Sequence, residues 1–271
     1  MCDILNNNNI DIETNKKIFG TKKLVQISNF IKNDIRLKLL KEIVDKEHIY
    51  KFNDNNNTLN EISYSLLEDA NLKEHQYSAM AKQYNVIHGS DIVYFFPDLH
   101  YYYHNCIADT ISKIVGIRVY PVNELNTINN SLIIYESEND SIKWHKDRSI
   151  FNDKRVFTVL IYLYNNSTQK LCYIHYDDKT HECVNMDENT CVILEQFELD
   201  HMTTPILKGE KKIAWSMTFV EDINQNNPKA YLMDKIKNFG FIGTNALNTG
   251  DYMYIILFVV LIGIIVYSLV V

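Results

Sequence analysis

The sequence predicts an α+β fold: a β-sandwich or barrel in its second half, helices packed outside it from its first half, and a transmembrane helix at the C-terminus. Three observations predict this. From Ser131 onward, short β-rich runs alternate with polar breaks, namely SLIIYE, SIKWHKD, VFTVLIYLY, KLCYIHY, HECVNM, TCVILEQF and KIAWSMTFV. Several short strands at such spacing argue for a sandwich or barrel. Before Ser131, apolar residues recur at helical spacing. From Tyr252 to Val271, YMYIILFVVLIGIIVYSLVV carries no charge, and twenty helical residues span a hydrocarbon core of about 30 Å.

The elements follow in order. Residues 1–22 are polar and Asn-rich, which reads as a loose, flexible tail. In LVQISNFIKNDIRLKLLKEIV, Leu24 to Val44, the first part reads as a short strand. From Asn33, the spacing of Ile35, Leu37, Leu39, Leu40 and Ile43 predicts an amphipathic helix, with Asn33 or Asp34 able to cap it. KFNDNNNTLN at 51–60 predicts a loop, with helices expected over about 73–85 and 98–115. The folded domain covers 23–225. Residues 226–250 read as a polar connector carrying a short amphipathic helix at AYLMDKIKNF, and 251–271 is the span. Tyr252, Tyr254 and Tyr267 sit where interfacial anchors belong. Lys235 and Lys237 lie just N-terminal to the span, so the positive-inside tendency predicts a tail-anchored protein with its domain in the cytosol.

Composition bounds the function. Hydrophobic residues make up 46% of the chain, enough for a large core, and a net charge of −7 gives no electrostatic footprint for nucleic acid. The cysteines are Cys2, Cys106, Cys172, Cys183 and Cys191, an odd number without CxxC spacing. That pattern predicts buried free thiols in a reducing compartment rather than a disulfide framework or a zinc ribbon. The opening MCDILNNNNI does not read as a secretory signal.

One constellation carries chemistry. In IKWHKDRS, His145 and Asp147 are two apart on a predicted strand, so both side chains share a face. With a distant histidine they can form a two-His-one-carboxylate site, which leaves positions open on a non-haem Fe(II). His201 lies 56 residues after His145. About four strands of 5–6 residues fit in that interval, as a barrel needs to return the third ligand to the first two. His175 and Asp177 form a second His-x-Asp, but only 26 residues separate His175 from His201. The cluster Asp177–Asp178–Lys179–Thr180 reads as a surface hairpin. His48, His75, His88, His100, His104 and His181 read as core or surface histidines.

Downstream lies HMTTPILKGEKKIAWSMTFV. Alternation puts Lys211, Ile213, Trp215, Met217 and Phe219 on one face, and Lys212, Ala214, Ser216 and Thr218 on the other. If the bulky apolar row fills the barrel, Lys211 is the lysine aimed inward. An inward cation requires an anion, and a dicarboxylate co-substrate supplies one. The alternative is a Lys211 that reaches out to solvent.

Together these residues resemble the Fe(II)/2-oxoglutarate oxygenase superfamily, nearest its prolyl 4-hydroxylase-like branch. The resemblance spans about 23–222. It rests on His145–Lys146–Asp147; on Arg155, Thr158, Leu160, Tyr162 and Leu163 in the following strand; and on His201, Gly209 and Lys211. It implies a double-stranded β-helix (jelly-roll) core with N-terminal supporting helices. It implies Fe(II), 2-oxoglutarate and O2, with release of succinate and CO2 and ascorbate as an accessory. By the same resemblance, His145, Asp147 and His201 bind iron and Lys211 holds the distal carboxylate. The resemblance also implies that Tyr135 lies near the co-substrate, with Thr158 and Tyr162 lining the same cavity, although strand packing explains those two equally well. Two departures concern the substrate rather than the iron: Ile142 replaces a tyrosine three residues before the first ligand, and STQKLCYI replaces a glycine-rich stretch.

The leading functional expectation is therefore a membrane-anchored dioxygenase that hydroxylates a protein side chain, prolyl or lysyl. Two alternatives stand beside it. One is an inactive, membrane-anchored interaction protein built on the same barrel. The other is an oxygenase of small molecules or nucleic acid, although the arginine pairs typical of nucleic-acid demethylases are absent after His201.

Overall fold

The computed structural model describes residues 3–46, 85–87, 89–122, 130–142, 144, 155–175, 180–196 and 198–221. Two antiparallel sheets lie face to face, and helices cover the outer face of the larger one. The first helix, α1 (Ile12–Lys22), starts at Asp11, whose side chain accepts hydrogen bonds from the Thr14 backbone N–H and hydroxyl. It ends at Lys23 in the left-handed conformation. Phe19 on this helix is buried, as are Ile4, Leu5 and Ile10 before it. The stretch expected to be a flexible tail is therefore a packed N-terminal layer. Its few apolar residues sit where they meet the sheet, a placement that average polarity hides.

Strand β1 (Leu24–Ile27) and helix α2 (Asn33–Asp45) fall where the sequence places them. The cap differs: Lys32 occupies the N-cap position without a side-chain bond, and Asn33 Oδ1 accepts instead from the Arg36 guanidinium. Beyond β2 (Asn85–Ile87), helices α3 (Gly89–Phe95), α4 (Pro97–Tyr102) and α5 (Ala108–Val115) follow, with a π-helical turn over Tyr103–Ile107 joining the last two. Gly116, at φ +78°, caps α5 in the left-handed conformation that glycine adopts without steric cost.

The remaining strands are β3 (Tyr120–Pro121), β4 (Asn130–Tyr135), β5 (Val156–Asn165), β6 (Lys170–His175), β7 (His181–Asn185), β8 (Cys191–Glu195), β9 (Leu199–Thr203) and β10 (Lys212–Val220). The large sheet runs β1-β8-β5-β10-β4-β2, with β3 also pairing β10. The small sheet runs β7-β6-β9. From β7 to β10 the strands alternate between the small and the large sheet, in the manner of a jelly roll.

Two cores result. Between the helices and the large sheet, Phe19, Leu39, Leu99 and Ile111 pack with Phe157, Val159, Trp215 and Phe219. Between the two sheets, Ile133, Tyr135, Tyr162, Val192, Leu194 and Ala214 face Leu171, Tyr173 and Leu199. This division reverses the expected direction of β10. Ile213, Trp215, Met217 and Phe219 lie under the helices, so Lys212, not Lys211, points between the sheets. The physical reason is that the helices offer the deeper apolar layer, and the bulky row fills it.

The cysteine expectation is also corrected. Cys172 and Cys183, directly opposite each other on β6 and β7, form a disulfide. Cys106 is disulfide-bonded as well, whereas Cys191 is a free, buried thiol. Among the described residues, no helix is long and apolar enough to cross a membrane. The predicted span, the connector before it, the loop at 51–60 and the helix expected at about 73–85 lie outside the described residues, apart from Asn85, which begins β2 rather than ending a helix.

Candidate active site

Lys212 begins β10 directly opposite Tyr135 on β4. A β-bulge follows at once, between Ile213 and Ala214, where the pairing with β5 skips a residue and Ala214 faces Tyr162. Bulges re-aim side chains and concentrate beside functional sites. The Lys212 ammonium lies 4.4 Å from the centre of the Tyr135 ring and 5.2 Å from that of Tyr162. The residue is fully buried, and Nζ has no hydrogen-bond partner among the described residues. Burial pushes its pKa down to about 7, while burial of Tyr162 pushes that phenol above its ordinary range. Two aromatic faces stabilise a cation by roughly 1–2 kcal/mol each when desolvated. Full burial of an unpaired ammonium costs several kcal/mol, so the site still favours an anion.

Lys211 is placed differently. Its ammonium pairs with Glu136 at 3.0 Å, near the surface, and its side chain is 27% exposed. Its backbone N–H donates to Asn166 Oδ1. The expected inward cation is therefore its neighbour.

His201 lies on β9 of the small sheet, opposite Tyr173 of β6. It is buried, at 6% exposure, and shares the inner face with Leu199 and Thr203. Its Nδ1 lies 3.4 Å from the Leu199 carbonyl oxygen. Thr203, two residues on, ties the chain before His145 to β9. Its Oγ1 accepts from the Ile142 N–H at 2.9 Å, and its N–H donates to the Ile142 carbonyl at 2.8 Å. Tyr135, Tyr162, Lys212 and His201 therefore all face the space between the sheets. Thr158 faces the same space farther along β5, where its hydroxyl accepts from Gln196 Nε2 at 2.8 Å. Arg155 grips the buried Glu195 through two guanidinium nitrogens, which raises the arginine's pKa further and pins β5 to β8. His145 and Asp147 lie outside the described residues.

His175 closes β6 and pairs with Leu199. β6 and β7 pair antiparallel; residues 176–179 between them, Asp177 included, lie outside the described residues. Sequence reasoning missed two features. It set Lys212 aside, and it passed over His181, which gathers with Cys172 and Cys183 within 4.8 Å. The His181-x-Cys183 spacing was the available signal, since period two puts both on one face.

No protein-family model matches the sequence, and no curated protein matches it either. Solved structures do match its architecture. AviO1 from Streptomyces viridochromogenes Tue57 aligns at a TM-score of 0.54 with 14% identity, over 78% of this chain and 95% of that one. A 2OG-Fe(II) oxygenase-family oxidoreductase from Burkholderia pseudomallei aligns at 0.51 with 9% identity, over 82% and 94%. A prolyl hydroxylase from Trichoplax adhaerens, solved with a hypoxia-inducible-factor degradation-domain peptide, aligns at 0.50 with 11% identity, over 80% and 94%. The chain has the fold of the 2OG-Fe(II) oxygenases, prolyl hydroxylases among them.

Proposed function

We propose that the chain is a membrane-anchored Fe(II)- and 2-oxoglutarate-dependent dioxygenase that hydroxylates a protein side chain, prolyl or lysyl. The observation that carries this reading is Lys212, a buried ammonium without a hydrogen-bond partner among the described residues, facing the same space as His201. A dicarboxylate fits that vacancy of charge. Its far carboxylate would meet Lys212 between Tyr135 and Tyr162, in the role first expected of Lys211. His145, Asp147 and His201 would hold the iron, two imidazoles and a carboxylate being the donor set that leaves sites open for co-substrate and O2. Ile142 supports this, because it stands three residues before His145 and is bonded beside His201 through Thr203. When bound, Fe(II) with 2-oxoglutarate and O2 would supply oxidative decarboxylation to succinate and CO2 coupled to hydroxylation. The chain's own residues orient the co-substrate and exclude water from the inter-sheet space.

The peptide-bound Trichoplax neighbour supports a protein substrate. The uncharged stretch at 252–271 supports the anchor, with the domain on the cytosolic side. The sequence holds five N-x-Ser/Thr triplets, opening at Asn56, Asn129, Asn139, Asn165 and Asn166. The Asn165 amide is engaged with the Met186 carbonyl and with Ser167. Glycosylation in cells at any of the other four would place the domain on the other side.

The test is succinate release from labelled 2-oxoglutarate by the full chain in detergent with Fe(II). We expect His145→Ala, Asp147→Ala and His201→Ala each to abolish it, and Lys212→Met to weaken 2-oxoglutarate binding at least tenfold, measured by anaerobic titration. Wild-type turnover in the His145→Ala or Asp147→Ala protein would refute the iron assignment. One-oxygen mass gains on proline- or lysine-bearing peptides would establish the substrate class.

A further inference from the structure

We infer that Cys172, Cys183 and His181 form a second metal site, on the outer face of the small sheet, which takes a thiophilic divalent cation of the zinc type only when the cysteines are reduced. This site is separate from the inter-sheet space. Along β7, His181, Cys183 and Asn185 face outward, whereas Val184 packs into the inter-sheet core and Glu182 accepts a hydrogen bond from the Tyr173 hydroxyl. Cys172 alternates with the inward Leu171 and Tyr173, so it shares the outer face. It stands directly opposite Cys183, with Cα atoms 4.0 Å apart. The Cys183 sulfur lies 3.8 Å from His181 Nε2, and one ligand atom from each of the three residues falls within 4.8 Å of the others.

Two thiolates and an imidazole are a soft donor set that selects zinc-like ions over the hard cations. Tetrahedral zinc with bonds of about 2.3 Å needs its sulfurs about 3.7 Å apart, which rotation of two facing cysteines can provide. A water would take the fourth position. In the disulfide state neither sulfur has a charge to give, so oxidation and metal binding exclude each other. The switch balances as follows. A dithiol reductant delivers two electrons and two protons, the Cys172–Cys183 bond breaks into two thiols, and the reductant closes to its own disulfide. The cation then binds both sulfurs and releases their two protons to solvent, while neutral His181 donates a ring lone pair.

The Trp144 ring lies 5.3 Å from that of His181, and Trp144 directly precedes His145 in the chain. β6, which carries Cys172, is also the strand that places Tyr173 opposite His201.

The experiment uses the full chain in detergent, reduced with a dithiol, desalted without oxygen and titrated with Co(II) as a spectroscopic stand-in for zinc. We expect a thiolate-to-cobalt charge-transfer band that saturates and is displaced by Zn(II). The expected iron ligands contain no sulfur, so the band reports cysteine ligation, and its loss in Cys183→Ser assigns it to this site rather than to Cys106 or Cys191. The oxidised protein should lack the band, Cys183→Ser should lose it, and His181→Ala should weaken cobalt binding about tenfold or more. No band in the reduced wild type would overturn the proposal, as would an undiminished band in Cys183→Ser. The comparison of reduced with oxidised wild type needs no substitution, so a misfolded variant leaves the test intact.

Discussion

The two faces of β10 use one strand in opposite ways. The face under the helices carries Ile213, Trp215, Met217 and Phe219, all buried in an apolar layer. The face toward the small sheet carries Lys212, Ala214 and Thr218, which are buried, and Ser216, which is half-buried, all of them small or polar. The first face stabilises the fold. The second leaves space and holds a buried cation with no hydrogen-bond partner among the described residues, which destabilises the fold. Residues that strain a structure while facing a space are those kept for a ligand.

The comparison breaks or sharpens under four measurements. The largest expected effect is on the helix side. Trp215→Ala removes the biggest buried ring and leaves Asn130 Oδ1 without its 2.7 Å indole donor. We expect a loss of about 3–5 kcal/mol in denaturant unfolding. Lys212→Met should move stability the other way, by about 1–4 kcal/mol in the same assay. A Lys212→Met protein destabilised as much as Trp215→Ala would erase the distinction between the faces.

The pH dependence sharpens the same point. Folding lowers the pKa of Lys212 from 10.5 to about 7. Below pH 7 both folded and unfolded chains carry the proton, and the full burial cost applies. Between about 7 and 10.5 the unfolded chain binds more protons, so this residue makes stability rise with pH. The advantage of Lys212→Met over wild type should therefore be greatest at or below pH 7 and shrink toward pH 10, which thermal unfolding across that range measures. Finally, Lys211→Met breaks a near-surface pair with Glu136. We expect a change of about 1 kcal/mol or less and unaltered 2-oxoglutarate affinity in anaerobic titration. Loss of binding there would return the co-substrate role to Lys211.

Much of the fold was legible because its signals are local. Alternating apolar runs gave β4 to β8 and β10, and the 3.6 periodicity gave α2 and the helical stretch before Arg118. The N-terminal helix was not legible, because Asn-rich composition masked the few positions, Phe19 above all, that decide its packing. Tyr135, Thr158, Tyr162 and His201 face the inter-sheet space. The choice between Lys211 and Lys212 failed for a definable reason. Alternation separates two faces but does not say which one the helices cover. The disulfide was missed because cross-strand neighbours depend on register, and Cys172 and Cys183 are eleven residues apart in sequence.

By itself the sequence determined where strands and helices form, since side-chain periodicity and turn residues act over a few positions. It also marked the His-x-Asp spacing and the long apolar stretch at the C-terminus. Only the tertiary structure decided which face of β10 meets the helices and which meets the small sheet. That choice depends on layers drawn from distant parts of the chain. It turns Lys212 into the buried cation, leaves Lys211 with Glu136, and brings Cys172, His181 and Cys183 together on an outer surface.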